Sequence, residues 1–153
     1  MYESRQIDLN RERARAAYDL VEEGIEKYIN GQQSSEIRER NRTKLNALCK
    51  KLPVLIRVNS LVTTLAWLKS NGNEEKKNED GENSLIDTID EYLYKGIKSW
   101  LICLPGISEK AKENFLEYLI RGNNCNRSEY VFLTKEAIEF ATWLKRDVEI
   151  MIQ

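Results

Sequence analysis

Apolar residues recur along much of this chain at three- and four-residue steps, the spacing that places them on one face of an α-helix. The first run predicts a helix from about residue 9 to residue 30, which Gly31 ends. Its apolar positions are Ala14, Ala17, Tyr18, Val21, Ile25, Tyr28 and Ile29. A second helix follows, whose apolar face consists of Leu45, Leu48, Cys49 and Leu52. The chain is therefore expected to begin with two amphipathic helices.

Pro53 is expected to separate the second helix from a third. Proline lacks a backbone N–H, so a helix accommodates it in the first turn and rarely in the interior. A new helix is therefore predicted from about residue 53 to residue 70. Its residues are apolar almost all round, from Val54 through Leu65 to Leu68. An all-round apolar helix normally lies at the centre of a bundle.

The second half of the chain predicts a polar insertion followed by three more helices. Residues 71–83 contain no hydrophobic side chain and predict a flexible surface loop. The fourth helix is expected to end at Pro105-Gly106 and the fifth at Gly122. The three helices are expected to begin at caps formed by Ser84, Ser108 and Thr134.

These elements together predict the fold class. Only residues 130–133 resemble a strand, and they have no partner strand. The sequence therefore predicts an all-α fold, a single-domain bundle of five to seven helices without a sheet. The domain is expected to span residues 1–153, with the flexible polar insertion at 71–83 as its one interruption.

Length and composition agree with one compact domain. The chain has 153 residues, of which 41% are hydrophobic and 32% charged, and its net charge is -1. Residues 1–70 carry 13 Lys and Arg against 9 Asp and Glu, so an anionic partner is expected in the N-terminal half. Three widely spaced cysteines, no apolar leader and no apolar run of about 20 residues predict a cytoplasmic protein without a membrane span.

The residues of common catalytic sites are missing. The chain contains no histidine and no phosphate-binding glycine loop, so neither a histidine-based catalytic or metal site nor a cofactor is expected. Asp87, Asp90 and Glu91 share one helical face and could hold Mg²⁺, but they are interpreted as a solvated face beside a cap. The three tryptophans lie at core-like spacing, and one of them is considered for base stacking only if it is exposed.

Three ordered segments carry a family resemblance. They are residues 14–21 (ARAAYDLV), residues 51–61 (KLPVLIRVNSL) with TLAWL at 64–68, and residues 130–137 (YVFLTKEA) with WLKR at 143–146. This set, which spans about residues 11–150 outside the insertion, resembles the small subunit of the type III-B CRISPR effector, the Cmr complex. That family usually has glycine where this chain has Ser60. If the glycine serves a close helix contact, Ser60 implies a wider approach.

The resemblance implies a non-catalytic scaffold subunit in antiviral defence. Such a subunit stacks with copies of itself, contacts the Cmr backbone subunits and the large polymerase-like subunit, and lines the path of the target strand in the duplex of guide RNA and target RNA. Alone it is expected to bind RNA weakly. The alternative is a helical adaptor that contacts only protein. A second alternative is an enzyme that uses the acidic cluster.

Five basic residues are predicted to contact RNA, because they lie in or beside the family-like segments and border apolar helices. They are Arg15, Lys51, Arg57, Lys145 and Arg146. Lys44, Lys51 and Arg57 are expected to converge across the kink at Pro53. The alternative for Arg57 is a structural salt bridge with the first helix. The alternative for Lys145 and Arg146 is interaction with the dipole at a helix C-terminus.

Overall fold

The computed structural model describes residues 2–72, 88–121 and 125–152, and every regular element in these ranges is helical. The prediction of an all-α fold is confirmed. The first helix continues into one π-helical turn, Glu26–Asn30. The α-helices are α1 (Tyr2–Ile25), α2 (Ser35–Asn59), α3 (Leu61–Gly72), α4 (Ile89–Ile102), α5 (Glu109–Glu113), α6 (Phe115–Arg121) and α7 (Arg127–Met151). None of the helices in the described ranges is both long and apolar enough to cross a bilayer.

Helix α7 is the centre of the bundle. It packs along α2 on one side and along α1 on the other, while α4 touches all three helices and carries α3 against its far side. Eight α7 residues are buried, and six of them are apolar. The buried face of the helix is therefore an apolar stripe interrupted by two acidic residues, Glu136 and Asp147. The buried residues are Leu133, Glu136, Ala137, Phe140, Ala141, Leu144, Asp147 and Val148.

Contacts between named residues fix the helix directions. The Val62 N–H donates to the Tyr130 hydroxyl oxygen at 3.3 Å, so the end of α2 lies near the start of α7. The Tyr92 hydroxyl donates to the Leu20 carbonyl at 2.8 Å, and the Trp100 indole donates to Glu136 at 3.1 Å. Helices α1 and α7 therefore run in one direction, and α2 and α4 run in the other. Because α1 and α2 flank α7, their outer faces point away from each other.

A buried polar cluster joins three of these helices. Arg13 of α1 donates from both Nε and Nη2 to the two carboxylate oxygens of Glu136 of α7, the second bond measuring 2.9 Å. The Trp100 indole donates to the same carboxylate, and Asn10 accepts from Arg13 at 2.6 Å. Arg13 and Glu136 are 7% and 6% exposed. A buried pair satisfied this completely fixes the register of α1 on α7.

The predicted helix boundary at Pro53 is wrong. Pro53 lies buried inside α2, and the chain turns seven residues later at Ser60. Burial of the proline ring against α7 outweighs the backbone hydrogen bond that it removes from the helix. Ser60 ends α2 by donating its N–H to the Ile56 carbonyl, and its hydroxyl oxygen accepts from the Thr63 N–H at 3.3 Å, which starts α3.

Ser60 holds an unusual backbone conformation, with φ 84° and ψ 160°. This region is populated almost only by glycine, because a Cβ atom meets the backbone there. A glycine at this position, which the resemblance implies, would therefore have a backbone reason at this turn, which differs from the close helix contact considered above.

The expected all-round buried third helix is also absent. The segment from 53 to 70 is divided between α2 and α3, and it has an outer side with Val54, Val58 and Trp67 exposed by 57%, 74% and 42%. The predicted helix has apolar residues on all faces because its residues belong to two amphipathic helices, α2 and α3, which differ in orientation.

Two further boundaries differ from prediction. Helix α7 begins at Arg127, where Asn126 accepts from the Glu129 N–H, so residues 130–133 are helical and Thr134 lies inside the helix. The Thr134 hydroxyl donates to the Tyr130 carbonyl at 2.8 Å, a bond that satisfies a threonine in a helix interior. The expected fifth helix is divided at Asn114 into α5 and α6.

The fourth helix starts at a cap that the sequence interpretation did not choose. Thr88 accepts from the Glu91 N–H at 3.2 Å and opens α4. Ser84 and residues 73–83 of the predicted insertion lie outside the described residues, while Asn71 and Gly72 complete α3. As predicted, Ser108 caps the next helix, α5.

Candidate nucleic-acid interface

The outward side of α7 carries several exposed cations, among them Lys135, Lys145 and Arg146. A helix turns by about 100° per residue, so the flank on which each side chain lies follows from its distance in sequence to a residue of known contact. Glu136 and Trp143 lie on the flank next to α1, and Tyr130 and Ala141 lie on the flank next to α2. By this period Lys145 borders α2, and Arg146 faces outward beside Trp143. Lys135 also faces outward, at an angle around α7 between those of Lys145 and Arg146.

Helix α2 places two cations on the same seam. Lys44 binds Asp90 of α4 at 3.4 Å, which fixes one flank of α2 toward α4, and the buried Pro53 lies on the opposite side of α2 by the helical period. Lys50 lies three residues before Pro53 and Arg57 lies four residues after it, so the helical period places both on the flank of Pro53. Both side chains are exposed. The seam between α2 and α7 therefore has cations on both sides.

Position along the seam follows from two contacts. Val62 meets Tyr130, and Asp147 lies close enough to Cys49 to act on its thiol, whose pKa burial and this charge together raise to about 12. With the helices antiparallel, Lys50 is then level with Lys145, and Arg57 is level with a point about three residues, or about 4.5 Å, from Lys135. We call these four residues, Lys50, Arg57, Lys135 and Lys145, the α7 groove. None of them has an ion pair within the described ranges.

Two more of the sequence-predicted residues lie on the α1 side of the bundle. The Arg146 guanidinium stacks 5.2 Å above the Trp143 ring. A guanidinium on an aromatic face keeps its outer edge available for an anion. Arg146 thus flanks α7 from the α1 side, as Arg57 and Lys145 do from the α2 side. Arg15 is exposed on the outer face of α1, directly opposite the core, and so points away from α7.

Lys51 is separated from the other predicted residues. It is exposed on the same face of α2 as Val58 by the helical period, and lies about 120° around the helix from Arg57. The expected convergence of Lys44, Lys51 and Arg57 is wrong, because α2 continues through Pro53 and Lys44 binds Asp90. The salt bridge considered between Arg57 and the first helix is also wrong, because α1 packs on the far side of α7.

A charge pattern within this region escaped the sequence interpretation. Residues 40–72 contain seven Lys and Arg and not one Asp or Glu. Counting over residues 1–70 had diluted this excess with the carboxylates of α1. The pattern alone points to α2 and α3, but it does not distinguish Lys50 from Lys51, which are neighbours in sequence and face opposite seams.

The acidic cluster considered as a metal site is used in ion pairs. Asp87 lies outside the described residues. Asp90 is 3% exposed and binds Lys44, which corrects its interpretation as a solvated residue. Glu91 binds Lys95 at 3.7 Å, one helical turn away.

The tryptophans have three different environments. Trp100 stacks on Phe140 with ring centroids 5.8 Å apart and donates to Glu136, so its role is in the core. Trp143 is half-buried under Arg146. Trp67 of α3 is 42% exposed. Trp67 therefore meets the exposure that base stacking requires.

A comparison with family models identifies the chain. The model described as CRISPR-associated protein (Cas_Cmr5) matches residues 9–151, which is nearly the whole sequence. The chain belongs to the Cas_Cmr5 family. This is the family of the small Cmr subunit, so the resemblance drawn from the three segments is confirmed. A search of curated proteins finds no match.

The three family-like segments of this Cas_Cmr5 member meet in the bundle. Residues 14–21 pack α1 onto α7 directly after Arg13, and residues 130–137 supply its partner Glu136. Residues 51–61 contain the buried Pro53 and the turn at Ser60. The segments therefore carry the packing around α7, and three of their cations, Arg57, Lys145 and Arg146, lie along its borders.

Proposed function

We propose that this Cas_Cmr5 protein is a non-catalytic scaffold subunit of the type III-B effector and that its α7 groove holds the backbone of target RNA. In this role it stacks with copies of itself in the cytoplasm, against the backbone subunits and the large polymerase-like subunit. The observation that carries the proposal is the α7 groove itself: four exposed cations, drawn from two antiparallel helices, without an ion pair in the described part of the chain.

The spacing of the groove suits a polyanion. Lys50 and Arg57 are seven residues apart, which is about 10 Å along α2, and Lys135 and Lys145 are ten residues apart, which is about 15 Å along α7. Ammonium and guanidinium groups placed this way neutralise a few neighbouring phosphates and do not read bases. In RNA-guided complexes base pairing supplies the sequence, so contacts to the backbone suffice for the protein.

Arg146 is proposed as a further phosphate contact, since it borders the outward side of α7, and Arg15 is proposed as another because it is an exposed cation on the neighbouring helix α1. One copy neutralises few phosphates, so the isolated subunit should bind RNA weakly, and successive copies on one strand should raise the avidity. The alternative, a helical adaptor without RNA contact, is favoured by a different surface, the exposed Val54 and Val58 on α2.

Charge reversal in the groove tests the proposal. Arg57→Glu with Lys145→Glu should leave folding and assembly unchanged and weaken the capture of target RNA by the assembled effector. The loss should be equal for unrelated targets with matched guides, because phosphates carry no sequence information. The slope of log affinity against log salt should become shallower by about 1.4 for each copy engaged, since two phosphate contacts are lost. Filter binding across a salt series measures both effects.

The matched control reverses two exposed cations away from α7. Lys112→Glu with Arg121→Glu makes the same change in net charge, and these residues pair only with neighbours on α5 and α6. RNA capture should remain at the wild-type level. A groove variant that assembles and captures target normally would refute the RNA contact. A folded groove variant that no longer enters the complex would favour the adaptor.

A further inference from the structure

Arg146 differs from the other exposed cations of α7 because its guanidinium lies over an aromatic ring. The Arg146 Cζ atom is 5.2 Å from the centroid of the Trp143 ring, which belongs to the preceding helical turn. Side chains of an α-helix lean toward its N-terminus, so residue 146 reaches back over residue 143. Trp143 is half-buried against the core, which restricts the ring. Lys135 and Lys145 have no such ring beneath them in the described part of the chain.

An acidic side chain on the same helix is placed to compete for Arg146. Glu149 is exposed one turn after Arg146, at the i,i+3 spacing at which opposite charges pair on a helix. Within the described structure Arg146 makes no ion pair with Glu149, because its side chain extends in the other direction, over Trp143. The ring thus keeps the guanidinium away from a carboxylate of its own helix.

We infer that Trp143 is a positioning residue, which holds the Arg146 guanidinium ready for a phosphate of the target RNA. This inference rests on the proposed function, in which Arg146 is a phosphate contact. An arginine side chain that is already ordered loses less conformational freedom on binding, so the same charge gives a stronger contact. A guanidinium that stacks by its face keeps its in-plane N–H groups free to donate to phosphate oxygens.

A double-mutant cycle on Trp143 and Arg146 tests the inference. Trp143→Leu keeps an apolar side chain and removes the ring, so capture of target RNA by the assembled effector should weaken by about two- to fivefold for each copy engaged. Arg146→Gln removes the phosphate contact, so the slope of log affinity against log salt should become shallower by about 0.7 per copy. In the Arg146→Gln background Trp143→Leu should have no further effect, because the ring acts through the arginine. Filter binding at several salt concentrations compares the four proteins.

Further variants separate positioning from packing. Trp143→Phe restores an aromatic face and should recover part of the capture that Trp143→Leu loses. Adding Glu149→Gln to Trp143→Leu should also recover part of it, since the competing carboxylate is gone, whereas Glu149→Gln alone should change capture little. The matched control is Phe132→Leu on the same helix. Phe132 is 44% exposed and has no cation over its ring among the described residues, so capture should stay at the wild-type level.

Arg146→Lys tests the same role without a change in the core. Lysine keeps the charge but lacks the planar group that lies on the ring, so capture should weaken about as much as with Trp143→Leu, at an unchanged salt slope. Nuclear magnetic resonance reports the stacking directly. The ring-current shift of the Arg146 side-chain protons should be present in the wild type, smaller in Trp143→Phe and absent in Trp143→Leu.

The inference and the proposed function fail separately. If Arg146→Gln captures target RNA normally, Arg146 is not a phosphate contact and the inference falls with it. If Arg146→Gln weakens capture and Trp143→Leu does not, the RNA contact stands and the positioning role is overturned. The same holds if Trp143→Leu weakens capture equally in the Arg146→Gln background. Should Trp143→Leu fail to fold, Arg146→Lys decides, and wild-type capture by that variant overturns the inference.

Discussion

Asp147 is a carboxyl group in the core of the bundle with a cost to the folded state. It is 2% exposed, and its Oδ2 atom has no hydrogen-bond partner within the described structure. Burial raises the pKa of Asp147 from 3.8 to about 6. The folded protein therefore holds this proton more tightly than the unfolded chain. Its contribution to stability is greatest below about pH 4 and is lost as pH rises through 6.

We predict that Asp147→Asn stabilises the protein at neutral pH. The amide keeps the shape and has no charge to desolvate, so the gain at pH 7 should be up to about 3 kcal/mol, from about 1.4 kcal/mol per pKa unit. At pH 4 the difference between variant and wild type should nearly vanish. Urea unfolding at both pH values measures it. A variant less stable than wild type at pH 7 would mean that the ionised carboxylate has a favourable partner.

Ser60 permits a second prediction at a single position. Ser60→Gly should stabilise the protein by about 1 kcal/mol, because glycine relieves a strain of about 1–3 kcal/mol while losing part of the cap and gaining freedom in the unfolded chain. Thermal unfolding measures the change. The neighbouring Asn59→Gly, within the last turn of α2, serves as control and should destabilise by about 0.3 kcal/mol, the difference in helix propensity between asparagine and glycine. Equal effects of the two substitutions would argue against strain at Ser60.

The packing of α1 on α4 is governed by one close approach between the two helices. A Cβ atom on Gly96 would lie 2.5 Å from Leu20 Cδ1. It would also be closer to Leu20 Cδ2 and Cγ than ordinary van der Waals contact allows. Gly96→Ala should therefore destabilise, although alanine favours a helix by about 1 kcal/mol. In a Leu20→Ala background the space is free, and the same change should stabilise. The four urea midpoints form a double-mutant cycle. Stabilisation by Gly96→Ala in both backgrounds would show that Leu20 moves aside.

The cluster that joins α1, α4 and α7 gives a prediction about paired charges. Glu136→Leu should destabilise by about 3–5 kcal/mol, since it leaves the Arg13 guanidinium buried without a counter-charge. Adding Arg13→Met should recover most of the loss, because two apolar groups replace the pair. Chemical denaturation of the single and double variants measures the recovery. A double variant no more stable than Glu136→Leu would show that Arg13 contributes by packing.

Element existence was readable from the sequence more reliably than element boundaries. The apolar spacing located α1, α2, α4 and α7 because each buries one face. It failed at Pro53 and Thr134, where tertiary packing outweighed local preference. A buried proline and a threonine bonded to the Tyr130 carbonyl are both stable inside a helix once neighbouring helices cover the chain. The turn at Ser60 carries no such local signal, because serine seldom adopts its conformation.

At the scale of the whole molecule, the candidate site depends on helix placement. Arg57 and Lys145 were selected from the sequence and lie on the α7 groove. Lys50 and Lys135 were missed, and Lys51 faces another seam. The difference between adjacent lysines is about 100° of rotation about α2, and its meaning depends on where α7 lies. The helical period gives the angle between the two lysines about α2. The ion pair of Lys44 with Asp90 and the burial of Pro53 show which flank of α2 is turned toward its neighbours.

The central position of α7 also bears on how the chain is made. Ribosomes synthesise α1 to α6 before α7, and α1 and α2 pack chiefly against a helix that does not yet exist. The emerging chain has helices with apolar faces and no common partner, so its core closes only after α7 has left the exit tunnel. Nascent chains that stop before residue 127 should remain open to chaperones and proteases. Quality control during synthesis would thereby keep unfinished copies out of assembly.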